Sequence, residues 1–199
     1  MRNKLYPIVC AVLLAVSASM ADARTLLNDM TLDWKPTKPL QREDMRLGGR
    51  SVKMGTFTDT RPDKKLIGEN REEERSGTVL PVSTKTDVPA WVADRLRLLL
   101  HENGVSVVDN EGELTLDGEL QQFFVKETDQ YRAAISLYLR LVDRSGKTVW
   151  ETTLSASDST FGRSYKKDNY CEVLSNAMIN LAQGLFNNDA FRTAVAKPQ

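Results

Sequence analysis

The chain has 199 residues, which suits one domain with appendages, because a typical domain runs to about 100–200 residues. Hydrophobic residues make up 41% of the sequence, enough for a sizeable core. The 27 basic and 27 acidic residues balance, so the chain lacks the excess positive charge of a nucleic-acid-binding protein, and that class is excluded first.

The N-terminus has the pattern of a cleavable signal peptide. Basic residues at positions 2 and 4 precede an apolar run over 8–16, and the small-x-small tripeptide at 21–23 is a typical site for signal peptidase. The run is too short for a membrane-spanning helix, which requires about 20 residues, although an uncleaved anchor is the alternative. We expect residues 1–23 to be removed, by a cut before Arg24 or a few residues upstream, and the mature protein to be periplasmic.

The two cysteines support neither lipid attachment nor an internal disulfide. Cys10 follows Pro7-Ile8-Val9, whereas lipid attachment requires a small residue directly before the cysteine. Cys10 is lost with the signal peptide, which leaves Cys171 alone in the mature chain. Cys171 shares a helical face with Leu174 and Met178, so we expect a buried core thiol rather than a reactive or intermolecular one.

Residues 24–49 show neither a helical nor a strand period. Pro36 and Pro39 disfavour a helix in this stretch. We predict an extended N-terminal strap over 24–49, anchored by Leu32 and Trp34.

A first strand is predicted over 50–59, where Gly55 indicates a bulge. The stretch 60–86 that follows has no periodicity and is dense in charge. A loop of this length in a compact domain is either functional or mobile, and both interpretations stay open. If Arg61 is structural, it should pair with Asp59 or Glu69. If the loop is functional, its predicted partner-binding residues are Arg61, Lys64, Lys65, Glu69 and Arg71.

Two helices are predicted from apolar residues at three-four spacing. The first has Asp87 as its N-cap and Pro89 in its first turn, and Asn103-Gly104 is a strong stop signal. The second begins near Asp168, which can act as its N-cap. Residues 191–199 are predicted as a flexible tail, with packing of Phe191 back onto the domain left open.

Three strands are predicted between residues 113 and 157, where apolar side chains alternate. Leu120 and Phe124 lie on the apolar face of the first strand, and Trp150 lies on that of the third. An apolar sheet face must be covered, and the two helices can cover it. We therefore predict an α+β protein with a single domain over 50–190. It is a two-layer sandwich, an antiparallel meander sheet with two helices packed on one face, in the order strand-loop-helix-strand-meander-helix.

The alternation places Phe123 and Tyr138 on the opposite, polar face of this meander, together with Val125 and Val142. Aromatic residues on an open sheet face are either covered by another part of the chain, here Trp34 of the strap, or offered to a partner. Both possibilities stay open, and Phe123 and Tyr138 join the predicted partner-binding residues.

Four short stretches of the sequence carry a resemblance to a known family. They are Asp59-Thr60-Arg61, Ile67-Gly68, Asn103-Gly104-Val105 and Gly146-Lys147-Thr148-Val149-Trp150. In these stretches and in the order of its elements the chain resembles the YajG-like family of small bacterial envelope proteins. Members of that family are typically outer-membrane lipoproteins, so the resemblance implies an envelope location and this fold, without a defined activity. The chain departs from the family by lacking a lipid-attachment cysteine.

No catalytic, cofactor or metal signature emerges from the residue types. His101 is the single histidine, and its place at the end of a helix is explained by a favourable interaction with the helix C-terminus. One histidine and the lone Cys171 cannot supply a typical zinc set. Asp117 and Glu119 lie on the solvent side of a strand, where Arg140 of the next strand is a natural partner.

We therefore expect a non-enzymatic exported envelope protein in an accessory or assembly role. It would act by binding another envelope protein or a second copy of itself, with at most peripheral membrane contact, no nucleic acid and no cofactor. The alternative is a periplasmic carrier with a small-ligand pocket between the sheet and the helices. A hydrolase is disfavoured because no general base accompanies a nucleophile.

Overall fold

The structure, a computed structural model, describes residues 27–41, 49–72 and 77–196. The predicted signal peptide and its cleavage site lie outside these residues. The described part contains one seven-stranded sheet and three α-helices. The strands are β1 (Val52–Asp59), β2 (Leu66–Asn70), β3 (Leu80–Ser83), β4 (Val107–Val108), β5 (Leu114–Glu127), β6 (Gln130–Asp143) and β7 (Thr148–Phe161). The helices are α1 (Val88–Glu102), α2 (Lys167–Phe186) and α3 (Asp189–Val195).

Strand β5 organises the sheet. One of its edges pairs antiparallel with β6, which in turn pairs antiparallel with β7. The other edge is shared, because β1 pairs in parallel with Leu114 to Leu120 and β2 pairs in parallel with Val125 to Glu127. β4 extends the sheet beyond β1, and β3 extends it beyond β2.

The α+β class predicted from the sequence is confirmed, but the sheet is mixed rather than an antiparallel meander. β5, β6 and β7 form antiparallel pairs, as their alternation predicted. The parallel pairs come from β1 and β2, since the chain crosses back through α1 before it enters β4 and β5, and a crossover of this kind leaves neighbouring strands parallel. The sheet carries three described helices where two were predicted.

Helix α1 begins and ends where the sequence predicted. Asp87 Oδ1 accepts a hydrogen bond from the backbone N–H of Ala90 at 3.1 Å, and Gly104 with φ +83° follows the helix. Helix α2 begins at Lys167 without a side-chain cap, so the predicted cap role of Asp168 is wrong, and this residue lies in the first turn. No helix in the described part of the chain is long and apolar enough to cross a membrane.

Helix α3 occupies most of the segment that was predicted as a flexible tail. Phe191 is fully buried, and its ring packs edge-on against Trp150 with 5.1 Å between the centroids. Asn188 Oδ1 caps the helix by accepting from Phe191 N at 2.9 Å, and it also accepts from Trp150 Nε1 at 3.3 Å. The tail prediction is wrong over 191–195, because an aromatic residue in a short helix found a partner on a distant strand.

A bulge in β5 reverses the faces of its second half. The register against β6 shifts between Leu120 and Gln122, where one extra residue is inserted. Beyond this point Phe123 and Val125 are buried, and Phe124 lies on the outer side. The placement of Phe123 and Val125 on the open face and of Phe124 in the core is therefore wrong, because a one-residue insertion flips every later side chain.

The N-terminal strap, described over 27–41, lies on the helix side of the sheet. Trp34 packs against Trp91 of α1 with 5.9 Å between ring centroids. Backbone amides of the strap donate to Ser175 Oγ and Asn176 Oδ1 of α2, at 2.9 Å in each case. Both acceptors are buried, so the strap satisfies polar groups of the helix. The suggestion that Trp34 covers aromatic residues of the open face is wrong.

The stretch 60–86 is not a single long loop. β2 and β3 form an antiparallel pair within it and extend the sheet at the end of β5. Ile67 and Val82 of these strands are fully buried. The strands have only five and four residues, too few for an alternation to stand out from the charged sequence around them. Residues 73–76 lie outside the described ranges.

Candidate partner-binding site

Arg61, the first predicted partner-binding residue, is buried and fully engaged. Its Nε and Nη2 donate to the two carboxylate oxygens of Asp59 at 2.9 and 2.7 Å. Its Nη1 and Nη2 also donate to the carbonyl oxygens of Leu66, Phe123 and Lys64. Burial alone would raise the pKa of Asp59, but the hydrogen bonds and charge of Arg61 bring it below its ordinary value. Arg61 therefore ties the β1–β2 connection to β5, and the predicted structural pairing with Asp59 is confirmed.

Glu69 and Arg71 form an ion pair with each other. Both side chains are partly exposed, and the pair lies at the end of the short strand β2. The two opposite charges neutralise one another locally, so this pair contributes little net charge to a recognition surface. Whether either residue contacts a partner stays a prediction.

Lys64 and Lys65 lie on a surface cleft with a volume of about 590 Å³. The cleft opens between the β1–β2 connection, the segment after β3 and the first turn of α1. Lys85 lies on the same cleft, and all three lysines are exposed. Among the described residues, none of the three ammonium groups has a carboxylate partner within ion-pair distance.

Two carboxylates line this cleft, and a cation neutralises one of them. Asp59 is paired with Arg61, and Asp87 accepts the capping hydrogen bond from Ala90 N. The floor is partly apolar, since the half-buried Phe57 and Pro89 contribute to the lining. The cleft, which we call the lysine cleft, thus has a cationic rim around a partly apolar centre.

Tyr138 lies elsewhere, on the open outer face of the sheet. Its hydroxyl donates to Glu151 Oε2 at 2.6 Å, and this hydrogen bond raises the pKa of Tyr138. Arg140 Nη2 pairs with Asp117 Oδ2 at 3.2 Å, which confirms the predicted cross-strand pair. These residues border a second, smaller groove of about 330 Å³. The structure therefore does not bring Tyr138 to the lysine cleft.

Of the seven predicted partner-binding residues, the structure brings Lys64 and Lys65 together on one open surface. Phe123 is 1% exposed and packs edge-on against Trp91 in the core, so its predicted place on a binding surface is wrong. Lys85 was missed, because it lies beyond β3 and approaches the other two lysines only when the β2–β3 pair forms.

A buried carboxylate was also missed. Glu127, at the end of β5, is fully buried and accepts from the backbone N–H groups of Ser164 and Tyr165 at 3.1 and 2.8 Å. Tyr170 of α2 donates its hydroxyl to Glu127 Oε2 at 2.8 Å. Burial, followed by the charge of Glu127, raises the pKa of Tyr170 strongly. This network holds the β7–α2 connection against the end of β5.

Cys171 is fully buried, and burial raises the pKa of its thiol, which confirms the predicted core position. His101 lies in the last turn of α1, as predicted. Within the described ranges, no group of three His, Cys, Asp or Glu side chains could hold a metal ion.

No family model and no curated protein matches the sequence. Among solved structures, the fold resembles that of a Xanthomonas campestris protein of the family DUF330, with a TM-score of 0.55 and 10% identity over 82% of this chain and 94% of that one. A weaker similarity links it to PelC of Paraburkholderia phytofirmans, described as a dodecamer, with a TM-score of 0.44 and 16% identity over 84% and 98% of the two chains. A minor lipoprotein of Acinetobacter baumannii gives a TM-score of 0.39 and 13% identity over 72% and 97%.

The first similarity shows a shared fold and nothing about activity, and the other two are too weak to support an argument. The YajG-like resemblance has no matching family model behind it, so membership of that family stays a prediction.

Proposed function

We propose that this protein is an exported envelope protein that acts without catalysis, by binding an acidic segment of a protein partner in the lysine cleft. The observation that carries the proposal is the excess of positive charge on the cleft. Three exposed lysines without carboxylate partners among the described residues lie there, while Asp59 is neutralised by Arg61 and Asp87 is the one other lining carboxylate. The export proposal is supported by the signal-peptide pattern at residues 1–23.

The composition of the cleft favours a peptide segment over a simple ion. An apolar centre with a charged rim is the usual anatomy of a protein-binding surface. Exposed ion pairs contribute about 0–1 kcal/mol each, so the three lysines alone give a modest affinity, and further burial of the half-buried Phe57 and Pro89 must supply the remainder. Electrostatic attraction should chiefly accelerate association and should weaken as salt is added.

The alternative function as a carrier is less well supported. A carrier requires a pocket between the sheet and the helices, whereas that space holds fully buried apolar side chains such as Leu137, Leu174 and Met178. The lysine cleft opens to solvent instead, which favours a partner that remains largely outside the protein.

The test compares two triple variants with the same change in charge. In one, Lys64, Lys65 and Lys85 are changed to Glu. In the matched control, three exposed lysines away from the cleft, Lys53, Lys126 and Lys147, are changed to Glu. Binding of a fluorescently labelled peptide rich in aspartate and glutamate is titrated at two salt concentrations, and crosslinked partners are recovered from native envelopes.

We expect the cleft variant to lose peptide binding and partner capture at an unchanged melting temperature, and the control to retain both. Equal losses in the two variants would mean that only net charge matters, and the proposal would fail. Retention of both activities by the cleft variant would also refute it.

A further inference from the structure

Strand β7 forms one edge of the sheet. It is 14 residues long and contains no proline, and among the described strands it pairs only with β6. Natural proteins usually protect such an edge with a short strand, a proline or free charges, because its unpaired backbone groups can recruit another strand. Both charged side chains of β7 are engaged, since Glu151 accepts from Tyr138 and Asp158 pairs with Lys38. No unpaired charged side chain of β7 therefore protects this edge from pairing with another strand.

One hydrogen bond shows which residues of β7 point their backbone N–H and C=O groups away from β6. Asn180 Nδ2 of α2 donates to the carbonyl oxygen of Ser157 at 2.8 Å, so the backbone of Ser157 points away from β6. The register against β6 is unbroken from Trp150 to Phe161. Because the direction alternates along a strand, the odd-numbered residues of this stretch present their N–H and C=O groups to the free edge.

We propose that β7 pairs with β7 of a second copy of this protein, antiparallel, around a two-fold axis at Ser155. Two identical strands related by a two-fold axis must run antiparallel. With the axis at Ser155, Thr153 of one copy lies opposite Ser157 of the other, and Glu151 lies opposite Ser159. All of these are odd-numbered positions, so each pair can exchange two backbone hydrogen bonds. The two sheets then form one continuous sheet.

The side chains of β7 select this register. Leu154 and Ala156, which lie half-buried at the margin of the core, come to face each other across the axis and cover one another. Asp158 lies opposite Thr152, so like charges do not meet.

Two neighbouring registers also pair odd-numbered residues with odd-numbered ones, but their side chains match less well. Moving the axis to residue 156 places Phe161 opposite Glu151 and Leu154 opposite the buried Asp158. Moving it to residue 154 places the buried Asp158 opposite the apolar Trp150. Apolar side chains would then face charged ones. Two copies of β7 therefore match each other best in the register centred on Ser155.

Pairing replaces one hydrogen bond that the single chain makes. The carbonyl of Ser157, now held by Asn180, would accept instead from the backbone N–H of Thr153 of the second copy. The Asn180 side chain is exposed and can turn to solvent. This inference is independent of the lysine cleft, and either can fail without the other.

The experiment places single cysteines on β7 of the full mature chain, in which Cys171 is buried. In the proposed register the two Cα atoms of residue 155 lie about 5.5 Å apart, within disulfide range, whereas those of residue 159 lie roughly 27 Å apart. Ser155→Cys should therefore form a covalent dimer on mild oxidation and with a short bis-maleimide. Ser159→Cys is the matched control, another exposed serine on the same strand, and should form no covalent dimer.

A second pair of variants guards against artefacts of crosslinking. Ser155→Pro removes an N–H that faces the free edge, which an edge strand tolerates, while Ser155→Ala keeps that N–H. By sedimentation velocity the parent and Ser155→Ala should be dimers, and Ser155→Pro should be a monomer with unchanged circular dichroism. Equal crosslinking at 155 and 159, or a parent protein that sediments as a monomer at all concentrations tested, would overturn the proposal.

Discussion

The buried pair of Arg61 and Asp59 gives the sharpest prediction about stability. Both side chains are almost fully buried, at 5% and 6% exposure, and the guanidinium also satisfies three backbone carbonyl groups. Arg61→Ala would leave the carboxylate of Asp59 buried without its cation. Breaking a buried pair in this way costs about 3–5 kcal/mol of unfolding free energy. For a protein of this size that corresponds to a fall in melting temperature of roughly 6–20 °C.

The assay is a double-mutant cycle measured by urea unfolding of the parent, Arg61→Ala, Asp59→Ala and the double variant. Each single variant leaves one buried charge, so the double variant should be destabilised by clearly less than the sum of the two. Arg132→Ala, which removes an exposed arginine from β6, is the control and should change stability by about 0.5 kcal/mol or less. Additive losses, or an Arg61→Ala variant as stable as the control, would refute a structural role.

The same pair predicts that the free energy of unfolding falls at acid pH. The pKa of Asp59 is lowered in the folded protein, so its contribution is fully present above the unfolded value of about 4 and is lost as pH falls through the folded value. Stability of the parent should therefore decline more steeply below about pH 4 than that of the Arg61→Ala, Asp59→Ala double variant. If the free energy of unfolding depended on pH in the same way in the two proteins, the proposed contribution of Asp59 would be wrong.

Three further predictions concern the buried groups. Tyr170→Phe removes a hydrogen bond to the buried carboxylate of Glu127 and should cost about 1.5–3 kcal/mol at neutral pH in urea unfolding. Because the pKa of Tyr170 is raised on folding, this phenol makes the parent lose stability above about pH 10, and the variant should lose less. The Cys171 thiol should resist a thiol reagent until the protein is denatured, since burial raises its pKa, and Cys171→Ser should leave the oligomeric state unchanged on a non-reducing gel. Phe191→Ala should destabilise the protein by about 3–5 kcal/mol by emptying the contact with Trp150, whereas a loss below 1 kcal/mol would mean that α3 is not docked.

The elements that the sequence predicted well are long and strongly periodic. Helix α1 carries its own start and stop signals at Asp87 and Gly104, so local chemistry suffices to define it. The antiparallel strands β5, β6 and β7 are 14 residues each, long enough for the alternation to identify them as strands.

The features that were missed depend on contacts between distant residues. The bulge before Gln122 has no signature of its own, and it reversed the predicted faces of Phe123 and Phe124. Arg61 looked like a surface charge because backbone carbonyl acceptors cannot be read from residue types. Lys64 and Lys65 were recognised as a charged pair, but Lys85 joins them only through the pairing of β2 with β3.

The two proposed surfaces lie on different strands of the sheet, and the distance between them yields a final prediction. The lysine cleft borders the end of β1, which is separated from β7 by β5 and β6. With strands about 4.8 Å apart, pairing through β7 would place the two clefts of a dimer roughly 30–35 Å apart, both open to solvent.

A ligand with two acidic peptides on a linker that spans this distance should therefore bind the dimer more tightly than a single peptide, through effective concentration. Ser155→Pro should abolish this gain while leaving the affinity for the single peptide unchanged. Lys64→Glu combined with Lys65→Glu and Lys85→Glu should abolish binding of both ligands while leaving the dimer intact. If the gain survives in Ser155→Pro, a contact other than β7 joins the two copies. If the single-peptide affinity falls in that variant, the cleft and the edge strand are not independent, and the separation of partner binding from self-association is wrong.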